Sequence, residues 1–143
     1  MPTIRVETVL NAPPAVVWAD VRQVGTHVEW MHDAVEITFL SEQTEGVGTT
    51  FDCRTKVGPL RLTDQMEITS WVDNAEMGVR HTGLVTGEGV FRLAAEGADK
   101  TRFTWDEKLT FPWWLGGPLG GVIGGQILKL IWKRNLRILG ERF

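Results

Sequence analysis

The amino-acid sequence predicts an α+β fold in which a curved antiparallel sheet of seven strands wraps around one long C-terminal helix. Three observations lead to this prediction. Segments with alternating apolar and polar residues recur through the chain, the breaks between the later segments are short and turn-like, and a segment of helical periodicity ends the sequence. Short connections favour antiparallel neighbours, because a parallel crossover needs a dozen or more residues.

The N-terminal part of the chain predicts one strand followed by two short helices. Residues 3–10 carry apolar side chains at alternating positions, which is typical of a half-buried strand. The segment NAPPAVVW, residues 11–18, begins with a good helix-capping residue and places its prolines where a first helical turn accepts them. A second short helix is predicted over residues 24–31. Both helices lie between the first strand and the second.

Six further strands are predicted after Asp33. Their breaks are rich in glycine, proline, asparagine and aspartate, the residues that favour tight turns. Such a series predicts an antiparallel meander with one covered face. The predicted strands are residues 34–40, 48–57, 59–71, 78–82, 87–96 and 100–111.

The last predicted element is an amphipathic helix from about residue 120 to residue 143. It must cover the sheet, and the space between a curved sheet and a single helix becomes a cavity. Roughly two thirds of its circumference is apolar, so we expect it to make contacts on two sides. One apolar line contains Ile123, Ile127, Leu130, Ile131, Arg134 and Ile138, and the other contains Leu128, Trp132, Leu136 and Leu139.

Length and composition limit the possible functions. The 143 residues fit a single domain, residues 1–143, and the net charge of −3 argues against broad electrostatic binding of nucleic acid. The single cysteine, Cys53, excludes an internal disulfide and a cysteine-based zinc site. The N-terminus lacks the pattern of a signal peptide. We therefore expect a cytoplasmic protein, and we predict no metal site and no cofactor.

A glycine-rich apolar stretch precedes the C-terminal helix. Residues 110–128 carry no charge, but two prolines and six glycines argue against a membrane span. Trp113, Trp114 and Leu115 in this stretch are predicted to form a gate or a membrane-touching lip, with plain packing and helix–helix dimerisation through the glycines as the alternatives. Peripheral membrane contact therefore stays open, as does the choice between a monomer and a homodimer.

The whole chain resembles the helix-grip proteins of the START, Bet v 1 and polyketide cyclase/dehydrase superfamily (SRPBCC). The resemblance rests on the order of elements, on the first strand running into residues 11–18, and on the strand GEGVFRL followed by TRFTW. It implies a deep apolar cavity that binds lipids, polyketides, sterols or other hydrophobic molecules. It implies no particular activity, because the superfamily contains enzymes, carriers and sensors.

Strand alternation predicts which side chains line this cavity. Gly87 and Gly89 are expected to leave room for a bulky occupant or a close backbone approach. Cys53 is expected to be a small buried hydrophobe, and Arg134 either reaches into the cavity to meet an anion or extends to solvent at the sheet edge. The predicted ligand-binding residues are Phe51, Cys53, Asp64, Met66, His81, Phe91, Trp105 and Glu107 from the sheet, and Ile127, Ile131 and Arg134 from the helix.

Three of the predicted inward-facing residues are ionisable. Asp64, His81 and Glu107 would face an apolar interior, where burial shifts pKa values. They could serve as a general acid and base, they could contact a ligand, or they could satisfy one another as a structural network. We therefore predict binding or carriage of a lipid-like or polyketide-like molecule. A polyketide aromatase/cyclase or dehydratase is the first alternative, and a membrane-associated adaptor is the second.

Overall fold

The structure is a computed structural model that describes residues 3–115 and 117–143, with side chains described outside residues 115–122. The described residues form seven strands and two α-helices, together with short 3-10 helices. In chain order the elements are β1 (Thr3–Leu10), α1 (Pro14–Val21), a 3-10 helix (Val24–Glu29), β2 (Ala34–Phe39), β3 (Thr50–Val57), β4 (Leu60–Val72), β5 (Glu76–Thr82), β6 (Thr86–Ala95), β7 (Thr101–Thr110), a 3-10 turn (Trp113–Leu115) and α2 (Gly117–Gly140).

The strands form one antiparallel sheet in the order β1-β7-β6-β5-β4-β3-β2. Each strand from β2 to β7 pairs with its neighbour in sequence, and β1 joins the free edge of β7. This arrangement confirms the predicted α+β fold class. The second short helix is a 3-10 helix, and α2 begins at Gly117 instead of about residue 120.

Helix α2 packs on the sheet with one side only. The line Leu128, Trp132, Leu136 and Leu139 faces the sheet, which the sequence pattern left undetermined, and Leu139 is fully buried. Contacts on a second side stay a prediction, because Ile127 of the other line borders the cavity, where an occupant would contact it. Exposed residues of that line are Ile123, Ile127, Leu130 and Arg134, whereas Ile131 and Ile138 are partly buried.

The core lies between the sheet, α2 and α1. Val17, Trp18 and Val21 of α1 are buried, because the helix presents one apolar side to the molecule. Trp105 of β7 stacks on Trp132 of α2, with ring centroids 4.5 Å apart and an interplanar angle of 17°. Among the described residues, no helix combines the length and the apolar character that a membrane crossing needs.

Candidate functional site

A cavity of about 300 Å³ lies between the inner face of the sheet and α2. Residues from β3 to β7, from α2 and from the first 3-10 helix form its wall, and most of them are apolar. The structure places nine of the predicted ligand-binding residues on this wall. They are Phe51, Cys53, Asp64, Met66, His81, Phe91, Trp105, Glu107 and Ile127.

Exposed apolar side chains mark the mouth of the cavity. Leu60 lies at the start of β4, Leu84 lies in the turn between β5 and β6, and Ile127 lies on α2. All three line the cavity and are also exposed to solvent. The cavity therefore opens between the N-terminal half of α2 and the end of the sheet that carries the β3–β4 and β5–β6 turns.

Asp64, His81 and Glu107 meet on the cavity wall in one hydrogen-bonded chain. His81 Nδ1 lies 2.8 Å from Asp64 Oδ2, and His81 Nε2 lies 2.8 Å from Glu107 Oε2. The indole Nε1 of Trp105 donates to the other oxygen of Glu107, Oε1, at 3.0 Å. Both ring nitrogens of His81 and both oxygens of Glu107 are thereby used. We call Asp64, His81 and Glu107 the ionisable trio.

Glycine residues on β6 allow this contact between side chains on two strands that are not neighbours. His81 lies on β5 and Glu107 on β7, so their backbones are about 10 Å apart across β6. Gly89 pairs with Glu107, and a Cβ atom on Gly89 would lie 2.6 Å from Glu107 Oε1. The space that Gly89 leaves is therefore filled by the Glu107 carboxylate, which corrects the expectation of room for a ligand at this position.

Gly87 has a different role, which agrees with the predicted close backbone approach. It pairs with His81 on β5 and with Leu109 on β7. Its φ of +136° is strained for other residues, and a Cβ atom there would lie 1.9 Å from the carbonyl oxygen of Lys108. β6 thus presents no side chain between His81 and Glu107.

The surrounding carboxylates keep His81 protonated. Burial by itself would lower the pKa of His81, but its hydrogen bonds to Asp64 and Glu107 and their negative charges outweigh burial and raise the pKa to about 10. The imidazolium form also matches the geometry, since each ring nitrogen faces a carboxylate oxygen and can donate to it. His81 is therefore a fixed cation at neutral pH and is unsuited to accept a proton from a substrate.

Asp64 is the member of the ionisable trio that a ligand reaches most easily. Its side chain is 19% exposed, compared with 6% for His81 and 7% for Glu107. Burial raises the pKa of Asp64, against the opposing hydrogen bond and charge of His81. Its second oxygen, Oδ1, is buried and has no hydrogen-bond partner among the described residues. This oxygen is closed to a ligand as well, so a ligand donor would reach the carboxylate only through the exposed part of the side chain.

Cys53 and His27 also line the cavity, in forms that are uncharged at neutral pH. Burial raises the pKa of Cys53 to about 12, so the thiol stays protonated, as expected for a small buried hydrophobe. Burial lowers the pKa of His27 to about 4, and its Nε2 donates to the carbonyl oxygen of Val21 at 2.7 Å. Neither residue provides a nucleophile or a charge for the cavity.

Two predicted ligand-binding positions lie elsewhere. Arg134 is exposed and is absent from the cavity wall, because the neighbouring Asn135 and Leu136 occupy the side of α2 that faces the sheet. Ile131 packs against the core without lining the cavity.

The predicted gate is described only in part. Trp113 is 85% exposed and Trp114 is 51% exposed, shortly after the cavity-lining Phe111. The side chain of Leu115 lies outside the described residues. A gate or membrane-touching lip at these positions stays a prediction.

Sequence reasoning missed a buried polar contact that fixes α2 next to the cavity. Asn135 is fully buried and donates through Nδ2 to Asp33 Oδ1 at 2.7 Å, while its own Oδ1 accepts from the backbone N–H of His32 at 3.1 Å. Trp132 Nε1 donates to Asp33 Oδ2 at 3.2 Å. The signal was available, because Asn135 lies three residues after Trp132 and therefore on the same side of the helix.

The donor set does not suggest a metal centre. Within residues 3–115 and 117–143, no group of three or more His, Cys, Asp or Glu side chains is arranged to hold a metal ion. In the ionisable trio both nitrogens of His81 already face carboxylates, so neither has a free lone pair for a metal.

Comparison with known proteins shows the family. The family model described as "Polyketide cyclase / dehydrase and lipid transport" matches residues 1–143. The chain belongs to this family. No curated protein matches the sequence.

Several solved structures share the fold at low sequence identity. TTHA0849 from Thermus thermophilus has a TM-score of 0.82 at 18% identity, with 99% of this chain and 96% of that chain covered. A START superfamily protein from Mycobacterium smegmatis has a TM-score of 0.81 at 10% identity, with 98% and 95% covered. The Zhui aromatase/cyclase from Streptomyces sp. R1128 has a TM-score of 0.73 at 17% identity, with 98% and 92% covered. The helix-grip fold is thereby shown.

Proposed function

We propose that the protein binds or carries an apolar small molecule, lipid-like or polyketide-like, in the cavity between the sheet and α2. The observation that supports this proposal most strongly is a mainly apolar cavity of about 300 Å³ whose wall carries a few accessible polar groups, among them Asp64. Ligand sites in proteins typically combine apolar walls with a few polar groups that orient the ligand. The family description, which names lipid transport, agrees with this proposal.

Burial of apolar surface would supply most of the affinity. Phe51, Met66, Phe91 and Trp105 line the cavity and offer broad apolar contact. Each Å² of apolar surface removed from water contributes about 25 cal/mol, which favours ligands with a rigid or extended hydrocarbon body. Asp64 would then fix the orientation of the polar end.

An acid–base enzyme is the second candidate, and the ionisable trio is the observation that favours it. Asp64 would accept a proton from a substrate, because it is the most accessible member, while His81 and Glu107 hold its carboxylate in place. The reaction class would be aldol cyclisation or dehydration of a polyketide-like substrate. The structural similarity to an aromatase/cyclase supports this class at the level of the fold. The two candidates differ in whether the bound molecule leaves chemically unchanged.

Filling the cavity should abolish binding of an apolar probe. Val79 lines the cavity on β5, so Val79→Phe places a ring in the space that a ligand would occupy. We expect N-phenyl-1-naphthylamine, an uncharged dye, to bind the wild type with increased fluorescence and to bind Val79→Phe at least about tenfold more weakly, a loss of about 1.4 kcal/mol. Fluorescence titration measures both affinities.

A matched control uses the exposed end of a neighbouring strand. Val72 lies at the end of β4 and is exposed, so Val72→Phe makes the same exchange outside the cavity. We expect Val72→Phe to bind the dye as the wild type does. Equal dye binding by Val79→Phe, with its fold verified by circular dichroism, would contradict the proposed site.

Three further aspects stay predictions. Peripheral membrane contact would use the exposed Trp113 and Trp114. Cytoplasmic residence and a monomeric or homodimeric state were predicted from composition and from the glycine-rich stretch. None of them is needed for the proposed binding.

A further inference from the structure

We infer that the cavity selects ligands whose polar group is a hydrogen-bond donor without negative charge, such as a hydroxyl group, and rejects carboxylates. The inference follows from the charges and hydrogen bonds that the cavity wall presents around Asp64. It rests on the proposed function, because it concerns the polar end of the molecule that the cavity binds.

The charges on the cavity wall are predominantly negative. Three carboxylates, those of Asp33, Asp64 and Glu107, line the cavity, and His81 is the one imidazolium among the described lining residues. The described part of the wall contains no lysine and no arginine. A ligand anion would therefore enter a region of like charge with little water to screen it.

The side-chain N–H groups of the wall are already used by protein acceptors. His81 donates from both ring nitrogens to Asp64 and Glu107, so it offers no N–H to a ligand. The other nitrogen donors on the wall are Trp105, which donates to Glu107, Trp132, which donates to Asp33, and His27, which donates to the Val21 carbonyl. A buried ligand carboxylate would find no N–H partner from these side chains, and the hydroxyl groups of Thr55 and Thr63 could donate to it but bring no compensating positive charge.

A ligand hydroxyl group, in contrast to a carboxylate, finds an acceptor on the cavity wall. Asp64 is the most accessible member of the ionisable trio, with 19% of its side chain exposed. A ligand O–H can donate to the exposed part of this carboxylate, and hydrogen bonds to an ionised acceptor are strong. The hydroxyl oxygen is uncharged and needs no compensating cation.

Two probes of equal chain length test the inference. Decan-1-ol and decanoate have ten carbon atoms each, one of which carries the polar group, and they differ in that group. At neutral pH we expect the wild type to bind decan-1-ol at least about tenfold more tightly than decanoate, measured by calorimetric titration or by the fluorescence of Trp105 and Trp132 on the wall. Equal or tighter binding of decanoate would overturn the inference.

The outcomes separate this inference from the proposed function. Failure of decan-1-ol to bind, while N-phenyl-1-naphthylamine binds, overturns the inference and leaves the binding function standing. Failure of all three compounds to bind overturns both. The wild-type comparison needs no variant, so it is decisive even where a substitution prevents folding.

A charge-removing substitution and a matched control identify Asp64 as the origin of the selectivity. Asp64→Asn keeps the shape of the side chain and removes its charge, and we expect it to reduce the preference for decan-1-ol over decanoate at least about threefold. Glu67→Gln is the control, because Glu67 lies on the same strand and pairs with Arg80 away from the cavity wall. The selectivity would not come from Asp64 if a folded Asp64→Asn kept the full preference for decan-1-ol. The same conclusion would follow if Glu67→Gln lost that preference.

Discussion

His81 acts in this structure as a fixed positive charge between two carboxylates. Its two ring nitrogens lie 2.8 Å from Asp64 and Glu107, so the protonated ring satisfies both partners at once. A histidine with a pKa of about 10 does not titrate near neutral pH. Its role is therefore to orient the carboxylates, and the accessible Asp64 is left to contact a ligand.

The pH dependence of folding should report this protonation. The pKa of His81 is raised from 6.5 to about 10, so the folded chain holds a proton that the unfolded chain loses above pH 6.5. The resulting stabilisation is complete below pH 6.5 and is lost as the pH rises toward 10. We expect the free energy of unfolding, measured with urea, to fall by on the order of 3 kcal/mol over that range.

His27 acts in the opposite direction on the acid side. Its pKa is lowered from 6.5 to about 4, so its stabilisation is complete above pH 6.5 and is lost as the pH falls toward 4. The contributions of these two histidines together are largest near pH 6.5.

Two variants test whether His81 causes the fall in the free energy of unfolding at alkaline pH. Glu107→Gln should flatten the alkaline fall, because it removes one of the carboxylates that hold the proton on His81. His32→Gln, at an exposed histidine, should retain it. An unchanged alkaline fall in Glu107→Gln would contradict the account.

At the scale of elements, β6 permits the contact between β5 and β7. Its inner face presents Gly87 and Gly89 between His81 and Glu107, so the two side chains meet across the intervening strand. Alternation along each strand predicts that His81 and Glu107 face inward. It does not predict that they meet, because their contact depends on strand order and on the missing side chains of a third strand.

Gly89→Ala should break the network by steric conflict. The added Cβ would lie 2.6 Å from Glu107 Oε1, so Glu107 must move away from both Trp105 and His81. We expect a loss of about 3 kcal/mol in the free energy of unfolding, because breaking a buried ion pair leaves uncompensated charge. Urea unfolding measures this loss.

A double-mutant cycle and a second glycine provide the controls. In a Glu107→Ala background the same Gly89→Ala change should cost far less, giving a coupling energy of about 2 kcal/mol between the two positions. Gly25→Ala should cause no loss, since its Cβ would only reach ordinary contact, 3.6 Å from Phe39 Cε2. If the losses in the free energy of unfolding caused by Gly89→Ala and Glu107→Ala were additive, the glycine would not be required by the Glu107 side chain.

Helix α2 shows where sequence reasoning reaches its limit at this scale. Apolar residues surround most of the helix, so periodicity alone leaves its rotation about its own axis undetermined. Periodicity predicts the apolar line through Trp132 and Leu136, leaves Arg134 open between the cavity and solvent, and gives no place to Asn135. The rotation is set by long-range contacts, above all the hydrogen bond from Asn135 to Asp33, which lies 102 positions away in sequence.

For the molecule as a whole, local patterns predict the architecture well. Alternation and short turns account for the meander from β2 to β7, and the inward-facing residues follow from the period of two. The pKa of His81 and the exposure of Asp64 depend on distances between strands, which no single segment encodes. The size of the cavity likewise depends on how far α2 stands from the sheet.

The central claim, that this cavity binds an apolar small molecule, is tested most directly by native mass spectrometry. The protein would be measured as purified and again after incubation with N-phenyl-1-naphthylamine, with Val79→Phe treated in parallel. We predict an additional mass of one small molecule per chain in the wild type and its absence in Val79→Phe. A wild-type spectrum that shows only the mass of the chain under both conditions would contradict the claim.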